Sequence, residues 1–306
     1  MGEALLDASD APHPAREAGF VDAHHHVWDL GVRDQDWIKG PELAPLRRNF
    51  TLDDLRPEAA SAGVTAAVLV QTVAVAEETP EFLALADGSD LVAGVVGWTD
   101  LTVPGVADEL ARLCQLPGGG RLVGIRHQVQ GERDPEWLLR DDVRRGLRAV
   151  ASAGLAYDLV VMARQLPACV RAAALHPELT FVLDHLGKPP IASGTLEPWA
   201  SAVRALAALP NTVCKLSGMV TEASWARWAV RDLRPYAETV LDAFGAGRLM
   251  WGSDWPVCGL AASYGGVLDA ARELMAGLSA GERGAVFGGT ARGVYGVGEP
   301  VSPTRA

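Results

Sequence analysis

Short apolar runs rich in β-branched residues recur along this chain at intervals of roughly twenty-five to forty-five residues. They cover 20–26, 64–71, 91–98, 122–129, 156–161, 180–186, 212–217 and 248–253. Several are apolar almost throughout, the pattern of parallel strands covered on both faces. Helical signals fill the gaps. Thr51 and Asp54 form a capping box ahead of a helix over 52–62, and Gly63 follows as its stop. Pro104 fits the first turn of a helix whose apolar stripe includes Val106, Leu110 and Leu113. Pro235 is expected to divide the helical stretch 224–244 into two pieces.

Eight strands alternating with helices in 306 residues predict a single-domain α/β fold, a (β/α)8 TIM barrel. Its expected bounds are 20–297, with a flexible N-terminal tail at 1–19 and a C-terminal tail at 298–306. A doubly wound sheet is the competing arrangement, but no G-x-G-x-x-G or P-loop pattern follows any strand. The connection at 27–50 is long and carries Trp28, Trp37, Pro41 and Pro45. At the C-terminal face of a barrel it would form part of a pocket wall.

Composition narrows the function classes. Hydrophobic residues make up 49% and charged residues 21%, which implies a large buried core. A net charge of −11 without a long basic run argues against nucleic acid as a partner. No stretch reaches the ~18–20 apolar residues of a membrane span, and residues 1–20 lack the apolar segment of a signal peptide. Cys114, Cys169, Cys214 and Cys258 are scattered, as expected of reduced thiols in a cytoplasmic protein.

The chemistry concentrates at strand ends. Asp22, His24 and His26 alternate in Val-Asp-Ala-His-His-His-Val, so in a regular strand all three project from one face. His185 ends the sixth strand, beside an Asp184 that reads equally as a turn-capping carboxylate or a site residue. Asp254 lies just beyond the eighth strand, where a carboxylate facing imidazoles can bind a metal or act as general base toward water. Arg126 and His127 stand on opposite faces of the fourth strand; Arg126 is the better inward residue, for a carbonyl or carboxylate. His127 and the seventh-strand Lys215 divide evenly between substrate contact and packing, while Trp28, Trp255 and Tyr157 are candidate pocket walls.

Six motifs stand in register: Asp22-Ala-His24-His-His26, Gly124-Ile-Arg126-His127, Asp184-His185-Leu-Gly-Lys-Pro189, Lys215-Leu-Ser-Gly218, Gly252-Ser-Asp254-Trp-Pro256 and Phe287-Gly-Gly-Thr-Ala-Arg292. Together they resemble the amidohydrolase superfamily, in its amidohydrolase-2 branch, over residues 20–297. Within that branch the likeness is to sugar-lactone hydrolases, such as the L-fuconolactonases and L-rhamnonolactonases, and to 2-pyrone-4,6-dicarboxylate lactonases. The resemblance implies the H-x-H pair at His24 and His26, the sixth-strand histidine at His185 and the catalytic aspartate at Asp254. Binuclear members bridge two metals with a carboxylated lysine, which the fourth and fifth strands here lack. The expected cofactor is therefore none or one divalent ion, most simply zinc, held by His24, His26, His185 and Asp254. The expected activity is ring opening of a small lactone, most simply a sugar-acid lactone. Asp254 activates water, and Arg126 or a protonated His24, His26 or His185 stabilises the oxyanion. Decarboxylation of an aromatic or unsaturated acid is the alternative on the same fold. A binding-only protein is disfavoured because Asp254 is present. The expected partner is the small-molecule substrate, with homo-oligomer formation left open.

Overall fold

The computed structural model of the protein describes residues 19–297. The tails expected at 1–19 and 298–306 lie outside these residues, apart from Gly19. Eight strands run parallel in sequential order: β1 (Phe20–His25), β2 (Val64–Val70), β3 (Val92–Gly97), β4 (Leu122–His127), β5 (Ala156–Leu159), β6 (Phe181–Leu183), β7 (Thr212–Leu216) and β8 (Leu249–Trp251). Beyond β8 the ring is drawn together by Asp254 N–H donating to His24 O (2.8 Å) and His26 N–H donating to Trp255 O (2.7 Å). The helices between strands are α1 (Leu52–Ala62), α2 (Glu78–Asp87), α3 (Val106–Gln115), α4 (Asp141–Ser152), α5 (Leu166–Leu175) and α6 (Trp199–Ala207). A short α7 (Met219–Glu222) and the long α8 (Val230–Phe244) precede β8. The chain then continues through α9 (Tyr264–Leu274), α10 (Ala280–Gly284) and α11 (Thr290–Tyr295). This is the (β/α)8 barrel expected from the apolar runs.

The two faces of each strand belong to different cores. Val68, Val96, Val182, Val213 and Met250 fill the barrel interior, closed below by Ala291, Tyr295 and Val297. Leu69, Val95, Leu159, Leu183 and Leu216 face the helices in the outer core. One interior layer up, aliphatic residues give way to Arg126, Asp158, Asp184 and Lys215, each two positions beyond a small or apolar residue on its strand. That switch marks the floor of the site. No helix among the described residues is long and apolar enough to cross a membrane.

Three local expectations change. Helix α8 runs unbroken through Pro235, because it begins only at Val230, where the Asp232 carboxylate accepts from Ala229 N–H (2.8 Å). Pro235 is then the sixth residue, exposed, and its missing N–H removes a single helical bond. Pro104 lies just ahead of α3, with Gly105 at the N-cap. The strands also stop short of their chemically interesting residues, since the backbone leaves the sheet at His26, Asp184 and Gly252.

Candidate active site

At the C-terminal mouth of the barrel, His26, Arg126, His185 and Asp254 line a cavity of about 260 Å³. His24, fully buried, lies beneath His26, with their Nε2 atoms 3.1 Å apart. The Nδ1 of His26 is 2.7 Å from the Val70 carbonyl, which can only accept, so His26 donates there and turns its Nε2 toward the site. His185 Nδ1 pairs with Ser217 Oγ at 2.9 Å. Asp254 Oδ1 stands 3.8 Å from His24 Nε2, 3.6 Å from His26 Nε2 and 3.8 Å from His185 Nε2. One carboxylate oxygen thus faces three imidazole nitrogens.

Left-handed backbone aims these groups. His185, Leu186, Gly187 and Lys188 all have positive φ (52°, 56°, 71° and 52°), as does Asp254 (57°). Each non-glycine residue there costs about 1–2 kcal/mol, a strain the surrounding packing must hold. Close approach requires two glycines. A β-carbon at Gly218, itself left-handed at φ 61°, would sit 2.5 Å from His185 Nδ1, and one at Gly252 would sit 2.7 Å from His24 Cβ. Gly252→Ala is accordingly expected to lose about 1–3 kcal/mol of stability by overpacking and to reduce activity by displacing His24; unchanged thermal unfolding and turnover would show that β1 can yield.

Below the histidines lies a buried charge network. Lys215 Nζ reaches Asp158 Oδ2 (2.6 Å), Asp184 Oδ1 (3.0 Å) and His24 Nδ1 (3.2 Å). Arg126 Nη1 donates to Asp184 Oδ2 (2.9 Å), Arg126 Nε donates to Gln71 Oε1 (2.9 Å), and Arg126 Nη2 donates to the Gln71 carbonyl. Tyr295 O–H from α11 meets both oxygens of Asp158, at 2.8 and 2.9 Å. Burial pushes the Asp158 carboxyl up to about 6, against the pull of Lys215. Asp184 is also raised by burial, but Lys215, His24 and Arg126 together hold it well below the usual carboxylate range. Asp254 is likewise held down, where burial is outweighed by His185 and His26. Burial drives His185 down to about 4 and His24 well below its ordinary value. Both shifts favour the neutral ring over the imidazolium.

Several candidates stand elsewhere. Asp22 does not share the histidine face. The pairing of β1 with β2 slips between Asp22 and His25, so Val21 and Ala23 enter the interior core while Asp22 turns to Ser253 and Tyr264. His127 lies on the outer side, stacked on Trp137 (4.2 Å, 10°), accepting from Trp98 Nε1 (3.0 Å) and donating to Glu132 (2.8 Å). Tyr157 is fully buried against Phe181 in the outer core. Trp28 and Trp255 each pack on Phe50, and Trp28 also backs Trp37, the indole of the first loop that lines the cavity. None of His127, Tyr157, Trp28 and Trp255 lines the cavity, and Lys215 acts from beneath it. Lys188, Glu222, Trp225, Gln128 and Gln130 do line it and were not singled out in the sequence. Only Lys188 had a nearby signal, in Asp-His-Leu-Gly-Lys-Pro. A second cleft of about 430 Å³, lined by Trp28, Val32, Phe82 and Leu85 among others, shares no residue with the site.

The donor set suits a divalent cation. His24, His185 and Asp254 each offer a ligand atom within 4.8 Å of the others, and His26 Nε2 stands 3.1 Å from His24 Nε2 and 3.6 Å from Asp254 Oδ1. Two ligands about 2.0–2.2 Å from one ion are separated by distances of this order, longer than most direct hydrogen bonds. The His26–Val70 bond supplies the outer support that fixes a ligating ring.

Residues 21–297 match the family described as Amidohydrolase. An L-fucono-1,5-lactonase of Burkholderia multivorans is 41% identical over 291 residues, covering 92% of this chain and 97% of the relative. The crystal structure of an amidohydrolase from Burkholderia multivorans with bound zinc is 40% identical, with a TM-score of 0.87 over 92% of this chain and 100% of that one. A 2,6-dihydroxybenzoate decarboxylase, 14% identical with a TM-score of 0.63 over 92% of this chain and 100% of its own, shares the fold alone. With its strand-end histidines and aspartate in place on a complete barrel, the chain belongs to the amidohydrolase family.

Proposed function

We propose that this protein hydrolyses the ring ester of a small lactone, with a sugar-acid lactone as the best fit. The observation that carries the reading is Asp254 Oδ1 facing three imidazole nitrogens at the floor of a polar-walled cavity. A volume of about 260 Å³ falls just below the range of drug-sized ligand pockets, which begins near 300 Å³. It suits one ring rather than a chain of sugars. Gln128, Gln130, Thr72 and Glu222 on the wall offer hydrogen bonds to ring hydroxyls, and Trp37 and Trp225 offer flat apolar faces. The 41% identical L-fucono-1,5-lactonase supports the same substrate class.

In this mechanism ionised Asp254 takes a proton from the attacking water as its oxygen bonds to the acyl carbon. The carbonyl electron pair moves onto the acyl oxygen. That pair then returns, the bond to the ring oxygen breaks, and the proton held by Asp254 passes to the departing alkoxide, leaving a hydroxy acid. His24, His26 and His185, with Asp254, would hold one divalent ion, zinc by donor type, which when bound would supply Lewis-acid polarisation of the acyl oxygen.

Five- and six-membered aldonolactones assayed by proton release should be turned over, while aromatic acids should release no CO₂. Turnover of the acids with none of the lactones would overturn the reading in favour of a decarboxylase. Elemental analysis of the same protein should find no more than one divalent ion per chain. Two ions, with activity lost on chelation, would overturn the single-ion assignment.

A further inference from the structure

Of the two cationic side chains among the described residues that line the cavity, Arg126 and Lys188, only one is placed to follow a reacting group. Arg126 is 4% exposed, and three bonds to Gln71 Oε1, the Gln71 carbonyl and Asp184 fix its guanidinium. Moving it toward substrate would break bonds to buried acceptors. It is a positioning residue for Asp184 and for His24, whose Nε2 stands 3.3 Å from Arg126 Nη1.

Lys188 differs in each respect. Its side chain is 22% exposed, and its ion-pair partner among the described residues, Glu222 Oε1, stands 3.8 Å away, beyond hydrogen-bond reach. Lys188 Nζ therefore has donors to spare, on a stem long enough to adjust. Its backbone is pinned at the end of the left-handed turn that starts at His185, with Lys188 N–H donating to His185 O (2.8 Å). The turn that ends at Lys188 carries strain at the cavity rim, and such strain concentrates where function demands it. Lys188 also contributes to the field that keeps the Asp254 carboxyl low.

We propose that Lys188 is a catalytic residue whose ammonium donates to the acyl oxygen of the substrate, with Glu222 as the counter-ion that holds it at the cavity wall. The inference rests on the lactonase reading. As water adds, one electron pair moves from the C=O bond to the acyl oxygen, and the Lys188 donor bond strengthens as that charge grows. No proton leaves the lysine. After ring opening the same ammonium faces the product carboxylate, so it binds the transition state and the open-chain acid more tightly than the neutral lactone.

The test is steady-state kinetics on an aldonolactone that wild type turns over, with inhibition by the matching open-chain aldonate. Lys188→Met should lower kcat about 10²–10³-fold, the range for losing one oxyanion donor, with KM changed less than about threefold. The aldonate inhibition constant should rise about tenfold or more. Lys188→Arg should recover at least a tenfold part of kcat, and added alkylammonium should partly rescue Lys188→Ala, which a merely structural role would not permit. A kcat for Lys188→Met within threefold of wild type would overturn the proposal. So would a loss that neither arginine nor alkylammonium relieves. A wild type that opens no lactone would instead overturn the lactonase reading on which the proposal stands.

Discussion

Replacing Asp254 with asparagine is expected to lower lactone hydrolysis by about 10²–10⁴-fold, the range for a general acid–base group, while leaving the fold intact. Asparagine keeps the shape of the side chain, and it tolerates the left-handed backbone at this position (φ 57°) better than most residues. The bond from residue 254 N–H to His24 O survives, so the seam between β1 and β8 stays closed. What disappears is the negative charge 3.6–3.8 Å from three imidazoles, and with it the base proposed to take a proton from water. Turnover and thermal unfolding measured on the same preparation separate the two effects. Near wild-type turnover would remove Asp254 from the mechanism.

Lys215→Met carries the largest expected effect on stability. The ammonium is fully buried and serves Asp158, Asp184 and His24 at once. Methionine stands in for the apolar stem but, one atom shorter and uncharged, leaves two carboxylates inside the barrel short of their counter-charge. Breaking a buried ion pair from one side costs about 3–5 kcal/mol, which for a domain of this size lowers the melting temperature by roughly 6–20 °C. Adding Asp158→Asn should recover part of the loss, because the neutral amide still accepts from Tyr295 and no longer requires a cation. A single variant that melts within about 2 °C of wild type would mean that water or Arg126 replaces Lys215.

The barrel was legible because its strands are buried on both faces, so that a run such as Val64–Val70 is apolar without alternation. His24, His26, His185 and Asp254 were legible because polar residues at the ends of such runs have no packing reason to be there. The failures share a physical origin. Alternation put Asp22 beside His24, but the slip in β1 sends it to Ser253 and Tyr264, and a slip leaves no mark in residue order. His127 and Tyr157 turn outward with the pleat into the outer core, where aromatic rings pack well. Lys188 passed unnoticed because its place in the cavity comes from four successive left-handed residues, three of which are not glycine. Trp28 and Trp37 both lie on the first loop. Which of two edge-to-face indoles faces the cavity is decided by tertiary packing, and here it is Trp37.

Tyr295 sits near the end of the described chain, yet its hydroxyl rests on Asp158 at the heart of the charge network, 137 residues back in sequence. In chain order, every residue of β1 through β8 is made before that hydroxyl exists. Until α11 is made and seats itself under the barrel, the lower interior lacks Ala291, Tyr295 and Val297, and Asp158 lacks one of its donors. The mouth and the foot of the barrel are thus completed by the same late event, and a chain that stopped ahead of Tyr295 would hold every site residue named above and no settled site.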